Sequence, residues 1–157
     1  MRTRTITATV LAVAVIALSA LGAAPAAAQT PDPPDPVLGL QYDLMNAGSV
    51  KLHGGAVDYD TPILGDHVRL AAGGAFVTGN SLDHLFAGAG PGIRYDTGGL
   101  QFYAHALFGY RRDQVTKGFD ARFGAGIDYP LGRSRSFRAG AAYSGDVHLT
   151  AGMSFRF

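Results

Sequence analysis

Residues 147–157 read Val-His-Leu-Thr-Ala-Gly-Met-Ser-Phe-Arg-Phe. In alternate steps, Val147, Leu149, Ala151, Met153, Phe155 and Phe157 are apolar. Between them lie His148, Thr150, Gly152, Ser154 and Arg156. An unbroken period of two marks a strand with one apolar and one polar face.

The same alternation recurs upstream. Leu38, Leu40, Tyr42 and Leu44 alternate with Gly39, Gln41 and Asp43, and Asn46-Ala47-Gly48 is read as a turn. In the next run Val50 and Leu52 begin the apolar face and Val57 and Tyr59 finish it, a slip of one that predicts a β-bulge at Gly54-Gly55. Thr61 to Gly65, with Pro62, is expected to turn. Val68, Leu70, Ala72, Gly74 and Phe76 then oppose His67, Arg69 and Gly73. A fourth run sets Leu85, Ala87, Ala89, Pro91, Ile93 and Tyr95 against His84, Gly88, Gly90, Gly92 and Arg94. Pro91 removes a ladder hydrogen bond, and the flanking glycines leave room for a bulge there. Leu100, Phe102, Ala104, Ala106, Phe108 and Tyr110 oppose Tyr103, His105 and Arg111. Phe119 to Tyr129 alternate with Asp120, Arg122 and Asp128, and Phe137 to Tyr143 alternate with Arg138 and Gly140. With the terminal run this predicts an all-β fold of eight antiparallel strands over residues 37–157, each long enough to cross a bilayer at a tilt.

The beginning of the chain reads differently. Arg2 and Arg4 precede an apolar run from Val10 to Leu21 and a small-residue site at Ala26-Ala27-Ala28. This pattern predicts a cleaved signal peptide over residues 1–28. Residues 29–36, containing TPDPPDP, are expected to be an extended periplasmic leader. Loss of Arg2 and Arg4 leaves 11 basic residues against 12 acids, a net charge near −1 that argues against a nucleic-acid partner. Every acid is Asp, cysteine is absent and glycine reaches 22. A soluble domain normally covers itself with Lys and Glu; this chain has two lysines, Lys51 and Lys117, and no Glu.

Alternation alone does not say which face points outward. Volume decides it. Eight strands enclose a lumen only just filled by side chains. The apolar face, with about five large residues per strand, would not fit there; the Gly-rich polar face would. Placement agrees. Tyr95, Phe102, Tyr129, Phe137 and Phe157 fall at one rim, Tyr110, Phe119 and Tyr143 at the other, and alanines lie between. Two aromatic girdles around an aliphatic band suit a bilayer. The expected environment is therefore outer-membrane lipid.

The stretches HLFAGAGPGIRYD (His84 to Asp96), FYAHALFGYRR (Phe102 to Arg112), FGAGIDYPLGRSRSFRAGAAY (Phe123 to Tyr143) and LTAGMSFRF (Leu149 to Phe157) resemble the small outer-membrane β-barrels of Gram-negative envelopes, the OmpA-like and OmpX-like superfamily often called porin-like. The resemblance implies an eight-stranded up-and-down transmembrane barrel in the outer membrane. It also implies that Phe155 and Phe157 form the signal read by the barrel-assembly machinery. It leaves activity open, because such barrels serve as anchors, adhesins, pores and a few lipid enzymes.

The polar face carries Asp43, Lys51, Asp58, Arg69, Arg94, Arg111, Asp120, Arg122, Asp128, Arg138 and Arg156. In a narrow lumen these charges must pair, and the reading preferred over a pore lining or ligand site is a structural salt-bridge network. The lumen glycines are expected to make room for arginines. His53, His67, His84, His105 and His148 fall on the polar face of five different strands without an HxH pair, so no metal site is expected. Ser144, Asp146 and His148 share one junction and one face, which keeps a lipid-modifying enzyme in view. A chance cluster in a polar turn is preferred, and no catalytic residue or cofactor is assigned. The expected function is a non-enzymatic structural or surface barrel; the alternatives are a narrow porin-like transporter and a lipid-modifying enzyme.

Overall fold

The computed structural model describes residues 35–157 apart from Ser81 and Val115. The expected signal peptide, its cleavage site and most of the proline-rich leader lie outside the described residues. Eight strands follow one another: β1 (Val37–Ala47), β2 (Val50–Leu64), β3 (Val68–Gly79), β4 (Leu82–Asp96), β5 (Gln101–Asp113), β6 (Lys117–Pro130), β7 (Arg135–Tyr143) and β8 (Val147–Arg156). Each pairs antiparallel with the next. β8 pairs with β1 from Val37↔Arg156 to Asn46↔Val147, which closes the barrel. Phe157 N–H donates to the Pro36 carbonyl at 3.2 Å and extends that seam. Closure leaves no strand edge unpaired. The end carrying Val37 and Arg156 is called the near end; the other, the far end.

The outward face carries the large apolar residues. Leu40, Tyr42, Leu70, Phe76, Phe108, Phe123, Ile127 and Leu149 are exposed. Charged and small residues point inward. The fold is thus apolar outside and polar inside, the reverse of a soluble barrel.

Two expectations fail along β2, and at Pro91 on β4 the ladder is interrupted without a bulge. β1 and β2 keep one register from Val37↔Asp60 to Ala47↔Val50, straight through Gly54 and Gly55. There is no bulge at these glycines and no phase slip. Instead a Cβ on Gly54 would run into the Phe76 carbonyl, so this glycine permits close approach of two backbones. Because the phase holds, Leu52 points inward and is buried, and joins Met45 and Val77 in an apolar cluster flanked by Ala47, Val50 and Leu82. That cluster fills one side of the far end of the lumen. A register shift does occur, between Pro62 and Leu64 on β2, so β2 runs on where a turn was expected. Pro62 sits at the bulge, where its missing N–H costs least. At Pro91 the β4–β5 ladder skips Gly90 and Pro91 and resumes at Gly92↔His105 in the register it left at Ala89↔Phe108. The proline interrupts hydrogen bonds without bulging the strand.

Candidate functional site

Among the described residues, chemically active groups gather in the lumen. Alternation sends odd positions of β1, β3 and β5 inward, and even positions of the other strands.

At the near end the inward charges form one chain across the lumen. Arg69 pairs with Asp60. Asp60 Oδ2 accepts from Arg94 Nη2 at 2.7 Å, and Arg94 Nη1 donates to Asp128 Oδ2 at 2.5 Å. Arg138 grips the same Asp128 through Nε and Nη2, at 2.6 and 2.7 Å. Its Nη1 reaches over to Asp58, which also accepts from Gln41 Nε2. Three arginines and three aspartates therefore alternate through strands β2, β3, β4, β6 and β7, and each charge has an opposite neighbour. Arg138 is 0 % exposed and Asp128 1 %. Unpaired charges there would cost several kcal/mol each. The Arg138 guanidinium also lies over the Tyr103 ring, 4.4 Å from its centroid.

The expected role of the lumen glycines has a direct geometric reading. A Cβ on Gly140 would sit 2.5 Å from the Tyr103 hydroxyl, and one on Gly39 would sit 2.6 Å from Arg138 Nη1. These positions hold the long side chains of other strands.

Mid-lumen, Ala71, Phe86 and Leu107 form a buried apolar cluster. Beside it a cavity of about 30 Å³ is bordered by Gln41, Asp58, His105, Arg122 and Thr150. A water needs roughly 10–15 Å³ of such space, so this is room for a water or two.

A second polar layer lies toward the far end. Arg122 Nη2 donates to Asp43 Oδ2 at 3.0 Å. His148 Nδ1 lies 3.0 Å from both Asp43 oxygens, and its Nε2 lies 3.1 Å from Ser144 Oγ. An ionised Asp43 can only accept, so Nδ1 carries a proton, and in a neutral imidazole Nε2 then accepts from the serine hydroxyl. This is the connectivity of a nucleophile, a base and an orienting acid. The acid is Asp43 on β1, 105 residues from His148. Asp146, the acid that sequence proximity suggests, instead approaches Arg111 at 3.8 Å. Asp43, His148 and Ser144 are all 0 % exposed, so no substrate atom reaches the serine oxygen in this conformation. Gly145, at φ +88°, makes the tight turn that folds Ser144 back over the lumen. Arg111 braces the turn by donating from Nη1 to the Ser144 carbonyl at 2.5 Å, and holds Asp113 and Asp120 as well. His84 is buried beside this layer, its ring 5.4 Å from that of His148, and neither of its nitrogens has a hydrogen-bond partner among the described residues.

Of the eleven charges assigned to the lumen, Lys51 is misplaced. It is exposed and points outward, because the phase of β2 never slips. His53 follows it outward and stacks on Tyr42 at 6.4 Å. His67 is also exposed, at the near rim, with Nδ1 3.1 Å from the Arg94 carbonyl. Arg156 is half-buried and forms no ion pair among the described residues. The same uninterrupted alternation brings in Asp60, which the sequence reading left out. Among the aromatics assigned to girdles, Tyr95↔Phe102 and Tyr129↔Phe137 are cross-strand neighbours at the near end and Tyr110↔Phe119 at the far end. Tyr143 is half-buried and pairs with Phe123 one row in. Among the described residues no three His, Cys, Asp or Glu side chains converge as a metal site.

No family model matches the chain, and no curated protein sequence matches it. Solved structures do. A de novo designed transmembrane β-barrel matches with a TM-score of 0.63 at 14 % identity, covering 82 % of this chain and 100 % of its own. The outer membrane protein OprG from Pseudomonas aeruginosa matches with a TM-score of 0.62 at 10 % identity, covering 78 % of this chain and 95 % of its own. Neisserial surface protein A matches with a TM-score of 0.58 at 14 % identity, covering 78 % and 96 %. These likenesses establish the fold: the chain is built as a transmembrane-type eight-stranded β-barrel.

Proposed function

We propose that this chain is an integral outer-membrane protein of the OmpA-like and OmpX-like kind, with its near end in the periplasm. It acts as a structural or surface barrel without catalytic turnover, and its lumen is a plug. The observation that carries this reading is the alternating chain Arg69–Asp60–Arg94–Asp128–Arg138–Asp58 across the near end. Charges of both signs at one height neutralise each other and leave no ring of one sign to select ions. The outward apolar face supports the membrane environment, since exposed apolar area of this extent is otherwise a liability. The far-end turns are short, which argues against an adhesin, whose contacts need long loops. Cell fractionation tests the placement: the protein should stay with outer membranes after urea extraction, and release into the soluble periplasmic fraction would refute it.

One observation favours a competing reading. The Ser144–His148–Asp43 chain is ordered as in a serine hydrolase. Burial of Ser144 weighs against it. A fluorophosphonate probe on folded protein decides: no label is expected, and stoichiometric label lost in Ser144→Ala would establish the hydrolase instead.

A further inference from the structure

The inward and outward charges of this barrel differ in balance. The inward side holds six arginines together with Asp43, Asp58, Asp60, Asp113, Asp120 and Asp128. On the outward side, strand alternation places Lys51, Arg112 and Lys117 at the far rim and Arg135 at the near rim, all exposed. Against these cations the outward face of the strands offers one acid among the described residues, Asp83, which accepts a 2.6 Å hydrogen bond from Thr78 Oγ1. Four cations thus face one acid on the outward side of the strands.

Arg112 and Lys117 form the sharpest instance. They are Cα partners across β5 and β6, so two cations stand directly opposite each other. Like charges in that position repel and destabilise a strand pair. Neither side chain has an ion pair or hydrogen bond among the described residues. One step down the barrel wall, Tyr110 and Phe119 are also Cα partners, both exposed, Phe119 at 81 %. The wall thus offers an aromatic step beneath a pair of unneutralised cations.

We propose that Arg112, Lys117, Tyr110 and Phe119 form a docking site for a phospholipid of net negative charge in the leaflet around the far end. Its phosphate bridges the two cations and its acyl chain lies along the aromatic pair. The phosphate offsets the repulsion between Arg112 and Lys117, and their aliphatic stems extend up to the interface. Arg offers a planar fork and Lys a point charge, a combination suited to a tetrahedral anion. The proposal rests on the membrane reading above.

The test uses the full mature protein refolded into vesicles of phosphatidylcholine and phosphatidylglycerol. Resistance of the barrel to protease and its heat-dependent gel mobility report insertion. If the protein fails to insert, the membrane reading fails; lipid selectivity is read only on inserted protein. Native mass spectrometry after detergent release should find phosphatidylglycerol retained in preference to phosphatidylcholine. Arg112→Gln with Lys117→Gln should reduce that preference by about tenfold, while Arg133→Gln with Arg135→Gln at the near rim should leave most of it. Inorganic phosphate at equal concentration should not displace the lipid. Unchanged preference in the first double variant, equal loss in the second, or displacement by free phosphate would each overturn the proposal.

Discussion

Arg138 and Asp128 face each other as Cα partners on β7 and β6, and the arginine holds the carboxylate with two near-parallel hydrogen bonds of 2.6 and 2.7 Å. The same carboxylate takes a third from Arg94 at 2.5 Å. One aspartate therefore neutralises parts of two buried guanidinium groups. A lumen of this width accepts long charged side chains only on such terms.

Removing Asp128 should accordingly cost more than its size suggests. Asp128→Ala leaves Arg94 and Arg138 facing each other without the charge between them. The expected loss is about 3–5 kcal/mol, measured by urea unfolding of protein refolded in vesicles. Asp128→Asn keeps one acceptor oxygen and should lose less. A loss below about 1 kcal/mol in Asp128→Ala would show that the chain of ion pairs does not stabilise the barrel.

Adjacent residues on β2 give opposite predictions. Leu52 is buried against Met45 and Val77, whereas Lys51 is exposed on the outer wall. Leu52→Ala should cost about 2–4 kcal/mol by opening a cavity. Lys51→Ala should change stability by less than about 0.5 kcal/mol. Equal costs, or a larger cost at Lys51, would mean that the inside and outside of β2 are reversed at this height.

The outer wall has its own test. Ala125 faces outward between Ala104 and Ala141 on the neighbouring strands. Ala125→Arg places a charge in the middle of the apolar band and should cost about 2–4 kcal/mol in a bilayer. The same substitution at Lys117, already a cation at the rim, should cost almost nothing. Stability measurements in vesicles compare the two; tolerance of arginine at Ala125 would place that wall outside hydrocarbon.

Phe157 is 68 % exposed, so in the finished barrel its ring adds little beyond one more rim aromatic. Deleting it should leave refolding in detergent nearly normal. The family resemblance assigns the terminal aromatics to recognition by the assembly machinery. On that basis the deletion should lower outer-membrane yield in cells. Equal losses in both assays would make Phe157 a stability residue and remove the assembly role.

Strand number, antiparallel order and the in/out sense of β3 to β8 were legible because the outward positions between the rims are apolar or small and the buried arginines alternate with them. Val68, Leu70 and Phe76 go outward and Arg69 inward, as the pattern demands. β2 was misread because Val50 and Leu52 are apolar, and apolarity was taken to mean lipid. In fact part of the lumen is apolar, and a buried leucine inside has the same side chain as one outside. Ala75, Val77, Phe86 and Leu107 went unassigned for the same reason. The ion-pair chain was legible as a set of residues, but its pairings were not. Arg138–Asp58 spans 80 positions and Arg122–Asp43 spans 79. Such partners are fixed by barrel closure, which no local pattern encodes. The partner of His148 shows the cost of judging by proximity: Asp146 was the nearer acid in sequence, and closure delivered Asp43.

Conductance of the pure protein in a planar bilayer tests the plugged lumen most directly. Wild-type barrels should insert, as shown by protease resistance of parallel vesicles, and give no steady unitary currents at moderate salt. The variant Arg138→Ala, which removes the side chain bridging Asp128 and Asp58, should admit brief openings if it stays folded. Reproducible, long-lived channels from the wild type would contradict the plug and establish the barrel as a narrow pore.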